Sequence, residues 1–234
     1  MRNTLQFGSV ISSHYGVFIS GDGVYNAPAK AYEVVSVPGR NGDLIISGDK
    51  YDNIEVTYPA FIYSDFKQNL AEFRTALLTQ NGYVRLTDTY HPDEFRFAYF
   101  SGGIEVSPFR NHAGEFEITF HCKPQRFMLG GEMAREFTTS GTITNPTSCV
   151  ALPLIRVYGY GTVTIGSEVI TIANTFAYVD IDSEIQDCYS GTNNANAQVS
   201  FSSGNFPKLK AGSTGVSFTG NVTKVVITPR WWRL

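Results

Sequence analysis

Asp180, Asp182 and Glu184 stand at i, i+2 and i+4, with Asp187 three residues further on. On a strand these first three carboxylates would share one face, neighbours lying about 7 Å apart. Paired carboxylates at about that separation serve an inverting glycosidase, one as general acid and the other as general base. Val179 and Ile181 would then occupy the opposite face, as core residues do. The simpler reading of the same spacing is a strand end whose carboxylates point to solvent.

Other reactive residue types fall outside any catalytic spacing. His14, His91, His112 and His121 make no zinc-binding pattern, and the neighbours His121 and Cys122 would face opposite ways on a strand. No Gly-x-Ser-x-Gly elbow and no glycine-rich phosphate loop occurs. Gly21-Asp22-Gly23 is too short to cradle a phosphate and reads as a turn. The expectation is a chain with no catalytic residues, no metal and no cofactor, and so not an enzyme. Cys122, Cys149 and Cys188 are widely spaced with no Cys-x-x-Cys pair, and Met1-Arg2-Asn3-Thr4 starts no signal-peptide pattern. They read as reduced, buried thiols of a protein made inside the cell.

Two segments are suited to contact rather than reaction. In Val37-Pro38-Gly39-Arg40-Asn41-Gly42-Asp43-Leu44, proline fixes φ, the glycines permit sharp reversal, and an arginine is held between them. Pro38, Gly39, Arg40, Asn41 and Gly42 are either a rigid hairpin loop or a preorganised tip that offers a guanidinium to a neighbouring subunit's carboxylate. The chain closes on Pro229-Arg230-Trp231-Trp232-Arg233-Leu234, which holds its only two tryptophans. Each indole brings roughly 150–250 Å² that needs cover. Arg230, Trp231 and Trp232 are therefore candidates for a partner interface or a terminal anchor.

Composition points the same way. Charged residues make up 17% of the 234, below the ~25% of ordinary soluble domains, beside 17 Phe and 13 Tyr. Either other chains cover much of the surface or the chain is a well-packed, tyrosine-rich sandwich. Net charge is −3, with 11 basic and 14 acidic residues in 1–129 against 7 of each in 130–234. The lack of a basic run argues against sequence-specific binding of duplex DNA or RNA, though such a protein can surround DNA without holding it. No apolar run approaches the ~18 residues of a membrane helix.

The elements that must position these residues are mostly strands. Glu33–Val37, Ile54–Tyr58, Tyr83–Thr87 and Phe116–Phe120 are short, β-branched and aromatic, several with alternating polarity. Asn41-Gly42, Asn81-Gly82 and Gly102-Gly103 supply turns between them. Phe66, Leu70, Phe73 and Leu77 predict a helix over 65–79, with Asp65 and Gln68 as a capping box and Gly82 just beyond its end. Pro124, Gly130-Gly131, Asn145-Pro146 and Pro153 mark a boundary. This predicts residues 1–129 as one domain, 130–149 as a linker and 150–234 as a second domain. In the latter, Gly161–Ile165 and Glu168–Ile172 form a hairpin across Gly166-Ser167, within a sandwich or jelly roll. The fold class is mainly β: an N-terminal β-sandwich or split barrel with one packed helix, then a jelly-roll-like sandwich.

The ordered motifs carry a family resemblance. Phe7-Gly8, the Val-Pro-Gly-Arg-Asn-Gly loop, the helix and Phe120-His121-Cys122-Lys123-Pro124 resemble the N-terminal domain of siphophage distal tail proteins. Val179–Glu184, Gly204-Asn205-Phe206-Pro207-Lys208-Leu209, Gly212, Phe218-Thr219-Gly220 and Pro229-Arg230-Trp231-Trp232 resemble their C-terminal domain. The resemblance implies a virion protein of the tail tip, made in the bacterial host. It implies a homo-hexameric ring of N-terminal domains through which DNA passes, with jelly-roll domains like carbohydrate-binding modules projecting outward. The implied partners are the tail tube protein above, the tail-associated tip protein below, and often receptor-binding or side-fibre proteins. The family's position two after Gly39 is usually acidic, and Asn41 departs from it. A different function for the second domain is binding of host cell-wall polysaccharide, through exposed rings such as Tyr158, Tyr160 and Tyr189.

Overall fold

A computed structural model describes residues 2–20, 26–107 and 112–234; the turn expected at Gly21-Asp22-Gly23 lies outside them. The architecture is mainly β, with one α-helix among the described residues. It divides into two compact units, Met1–Arg126 and Phe127–Arg233. The stretch 130–149, expected as a linker, contains strands Arg135–Phe137 and Gly141–Asn145, which pair with Lys224–Thr228 and Gly212–Gly220 of the second unit. Its Thr, Ser and Gly texture belongs to an edge strand in which Ile143 alone is a buried aliphatic.

The first unit is built on an antiparallel sheet. Its order is Val10–Ile11, Leu5–Phe7, Val84–Asp88, Glu94–Tyr99, Gly114–Cys122, Ile54–Ile62 and Val17–Ile19. The two long strands pair over their whole length, from Gly114 opposite Ile62 to Cys122 opposite Ile54. Alternation places Val56, Tyr58, Ala60 and Ile62 on one face with Phe116, Ile118 and Phe120, all buried. The helix Phe66–Leu78 covers this face with Phe66, Phe73 and Leu77. Gly114 lies beneath the Phe66 ring, where a Cβ would overlap it. The expected capping box does not form. Asp65 takes a left-handed φ of 52° with no side-chain cap, while Gln68 donates to Glu72 instead. A cap side chain reaches the first-turn amides from extended backbone, which Asp65 lacks.

The second unit is a sandwich of two antiparallel sheets. One runs Arg135–Phe137, Lys224–Thr228, Leu154–Tyr158, Tyr178–Asp182, Asp187–Ser190, Asn193–Asn194. The other runs Gly141–Asn145, Gly212–Gly220, Gly161–Ile165, Glu168–Ile172, Val199–Phe201. Ile155, Val157, Val179, Ile181, Val225 and Ile227 from the first meet Ile143, Val163, Ile165, Ile170, Ile172 and Val216 from the second. Ile165 pairs with Glu168 across the two-residue turn, and Gly166 supplies the positive φ that turn requires.

Candidate assembly surfaces

The loop of Pro38 to Gly42 caps a two-stranded ribbon, Lys30–Val35 with Leu44–Tyr51, that forms a sheet of its own. Register puts Val34 opposite Ile45 and Val35 opposite Leu44. Tyr32, Val34 and Ile45 therefore share one face, while Val35, Leu44 and Ile46 share the other. Tyr32, Val34, Ile45 and Ile46 are each about half exposed or more, at 56%, 59%, 62% and 48%. A sheet packed on a core hides one face, and a solvated ribbon would be polar on both. This ribbon carries aliphatic side chains on both faces, and among the described residues Val34, Leu44, Ile45 and Ile46 are all exposed. Isolated two-stranded ribbons are marginal in water. At the tip, Gly39 and Gly42 both adopt φ of 82°, the Arg40 amide donates to the Val37 carbonyl, and Pro38 through Gly42 are exposed. The sequence reads Glu33–Val37 as a strand, but its pattern could not reveal how little the described residues of the first unit cover either side.

The carboxylates of the second unit are committed to arginines. Tyr178–Asp182 is an interior strand of its sheet, and Asp180 and Asp182 are 2% and 4% exposed rather than directed to solvent as expected. Arg156, directly opposite Asp180 on the next strand, donates to it through Nε at 2.6 Å and Nη2 at 2.8 Å. Arg230 donates to both oxygens of Asp182 at 2.7 and 2.8 Å and stands 3.3 Å from Glu184. Burial opposes the charge on Asp182, but the bonds and charge of Arg230 outweigh it and hold the carboxyl below its usual range. Asp187 instead accepts from the Cys188 amide and Asn196. With both oxygens of Asp180 and of Asp182 in bidentate pairs, the arrangement fixes strands and leaves no proton-transfer pair facing a cleft.

Arg230 also fastens the chain end. Its φ of 56° turns the backbone so that its amide donates to Gly131. Met128 donates to the Trp231 carbonyl, Trp231 is 5% exposed, and Trp232 Nε1 donates to the Val150 carbonyl at 3.0 Å. A Cβ on Gly131 would overlap the Trp231 backbone, so this close approach requires glycine. Arg230, Trp231 and Trp232 are thus each bonded to residues of the second unit.

The remaining reactive residues are dispersed. His121 stacks on Tyr99 and lies 3.4 Å from Glu55, and His91 bonds Asp88, which also accepts from the Tyr58 hydroxyl at 2.7 Å. No group of three or more potential ligands could hold a metal among the described residues. Burial pushes the thiols of Cys122 and Cys188 up to about 12. Tyr158, Tyr160 and Tyr189 are half-buried rather than exposed, and Tyr158 sits under the Lys224 ammonium.

Residues 13–122 match the family described as the phage tail protein RIFT-related domain. Over its whole length the chain has the fold of a siphophage distal tail protein. It superimposes on Dit of phage SPP1 with a TM-score of 0.76 and 14% identity, covering 100% of both chains. That protein is described as a paradigm of the hub adsorption apparatus in phages infecting Gram-positive bacteria. A comparison with curated proteins finds no match.

Proposed function

We propose that this protein is the structural hub of a long, non-contractile tail tip. Copies close into a hexameric ring through their first units, join the tail tube to the host-recognition apparatus, and let DNA pass. The observation that carries this reading is the ribbon Lys30–Tyr51, with aliphatic side chains on both faces and an uncovered glycine-proline tip. Burying each such side chain against a neighbour is worth roughly 1.5–3 kcal/mol, enough in sum for ordered assembly. One ribbon per copy meeting a different surface on the next is a heterologous contact, which closes into a ring when the rotation permits. A surplus of acidic residues in 1–129 suits a channel that must not grip a phosphate backbone. The second unit, with its chain end fastened by Arg230 and Trp231, serves as a stable body for attaching tip components. Immunogold labelling of virions tests the location: label at the distal end of the tail is expected, and label at the capsid or along the tube would overturn the reading.

A further inference from the structure

The second unit carries a groove of about 620 Å³, open to solvent, that the ring reading does not use. Its walls are the Gly166-Ser167 turn with Glu168, the segment Ser203 to Ala211, and Ser213 to Gly215. We propose that it binds an anionic, polyhydroxylated polymer: a sugar or polyol chain carrying phosphate or carboxylate groups.

Charge is the first argument. Leu209 is fully buried and pairs with Ala151, so Lys208 and Lys210 flank it on extended backbone and both point away from the core. Their ammonium groups thus leave the chain on one side, within about 7 Å of each other at the backbone. Both are exposed, and neither is engaged by a carboxylate among the described residues. The single carboxylate of the lining, Glu168, is already satisfied. Ser202 Oγ and the Ser203 amide donate to its Oε1 at 3.2 and 3.0 Å, and Ser203 Oγ donates to Oε2 at 2.5 Å. Those bonds hold Glu168 ionised, so two exposed lysines and one carboxylate with its oxygens already bonded line the groove, leaving it a formal charge of +1.

The rest of the lining fits hydroxylated carbon chains. Ser167 and Ser213 offer hydroxyls, and Asn205, whose Nδ2 bonds Ser203, retains its carbonyl oxygen as an acceptor. Phe206, backed by Phe201 at 4.6 Å, and Pro207 supply an apolar wall for C–H faces. The volume falls within the ~300–1,000 Å³ of ordinary ligand clefts. Net charge of −3 disfavours indiscriminate capture of polyanions, so any binding must be local.

Isothermal titration of the full-length protein decides the matter with three probes: a poly(glycerol phosphate) oligomer, an oligogalacturonate and a neutral dextran oligomer of matched length. Binding of at least one anionic probe and not of dextran is expected; which one binds tells phosphate from carboxylate. Lys208→Gln with Lys210→Gln should weaken that binding at least tenfold and flatten its salt dependence, while Lys67→Gln, on the helix of the first unit, should leave it unchanged. The thermal midpoint confirms that each variant is folded. Failure of both anionic probes to bind the wild type, equal binding of dextran, or unaltered binding by the double variant would each overturn the proposal.

Discussion

Replacing Arg230 by methionine should uncouple the chain end from the second unit and reverse how that unit responds to acid. Methionine keeps most of the aliphatic stem but deletes both bonds to Asp182, whose side chain is only 6% exposed. Removing one member of a fully buried pair costs about 3–5 kcal/mol. Arg230 is 24% exposed and Glu184 is nearby, so solvent screening lowers the expected loss to about 2–3 kcal/mol. For a unit of this size each kcal/mol moves the midpoint by roughly 4–8 °C, giving a drop of at least about 8 °C at pH 7. Both tryptophans lie in the second unit, so fluorescence follows its unfolding alone. In the wild type the Asp182 carboxyl is held below its unfolded value of about 3.9, so its stabilisation is present above that pH and is lost as pH falls through the lower folded value. In the variant the unpaired, buried carboxyl binds a proton more readily folded than unfolded, so stability recovers on acidification from pH 7 toward pH 5. A midpoint within 2 °C of wild type, with the same pH profile, would refute this reasoning.

Other expectations are as direct. Val34→Asp with Ile45→Asp should leave the midpoint of the first unit nearly unchanged, because both side chains are exposed, yet abolish assembly in size-exclusion chromatography; an unaffected elution volume would remove the ribbon from the interface. Gly159→Ala should cost at least about 2 kcal/mol, read by denaturant unfolding. Gly159 has φ +91° and its new methyl would overlap the Asn221 carbonyl, so a neutral outcome would show that this approach is not tight. Iodoacetamide at pH 8 should label Cys149 first, since burial keeps the thiols of Cys122 and Cys188 protonated with values of about 12. Early labelling of Cys188, found by peptide mass mapping, would count against the packed sandwich.

Local signals in the sequence proved legible where structure is decided locally. The helix stripe of Phe66, Phe73 and Leu77, the Gly166-Ser167 hairpin and the alternation of Ile54–Tyr58 and Phe116–Phe120 all appear in the structure. The family resemblance, carried by an ordered set of weak motifs, agrees with the matched tail domain and the whole-chain fold. What escaped depends on partners remote in the chain. Asp180 and Asp182 read as solvent-facing because Arg156 and Arg230 stand 24 and 48 residues away. Asp65 and Gln68 had the residue types of a capping box, but backbone conformation prevented it. The ribbon looked like any other strand, since a sequence does not show whether a sheet face finds a cover within its own chain. The groove beside Lys208 and Lys210 was invisible because two stretches remote in the chain, 165–168 and 203–215, build it.

Native mass spectrometry of the purified protein at low micromolar concentration tests the central claim most directly. Closure into a hexameric ring predicts a dominant species of six times the 25.8 kDa chain, or a multiple of six if rings stack. A spectrum holding only the single chain at every concentration up to the solubility limit would contradict it.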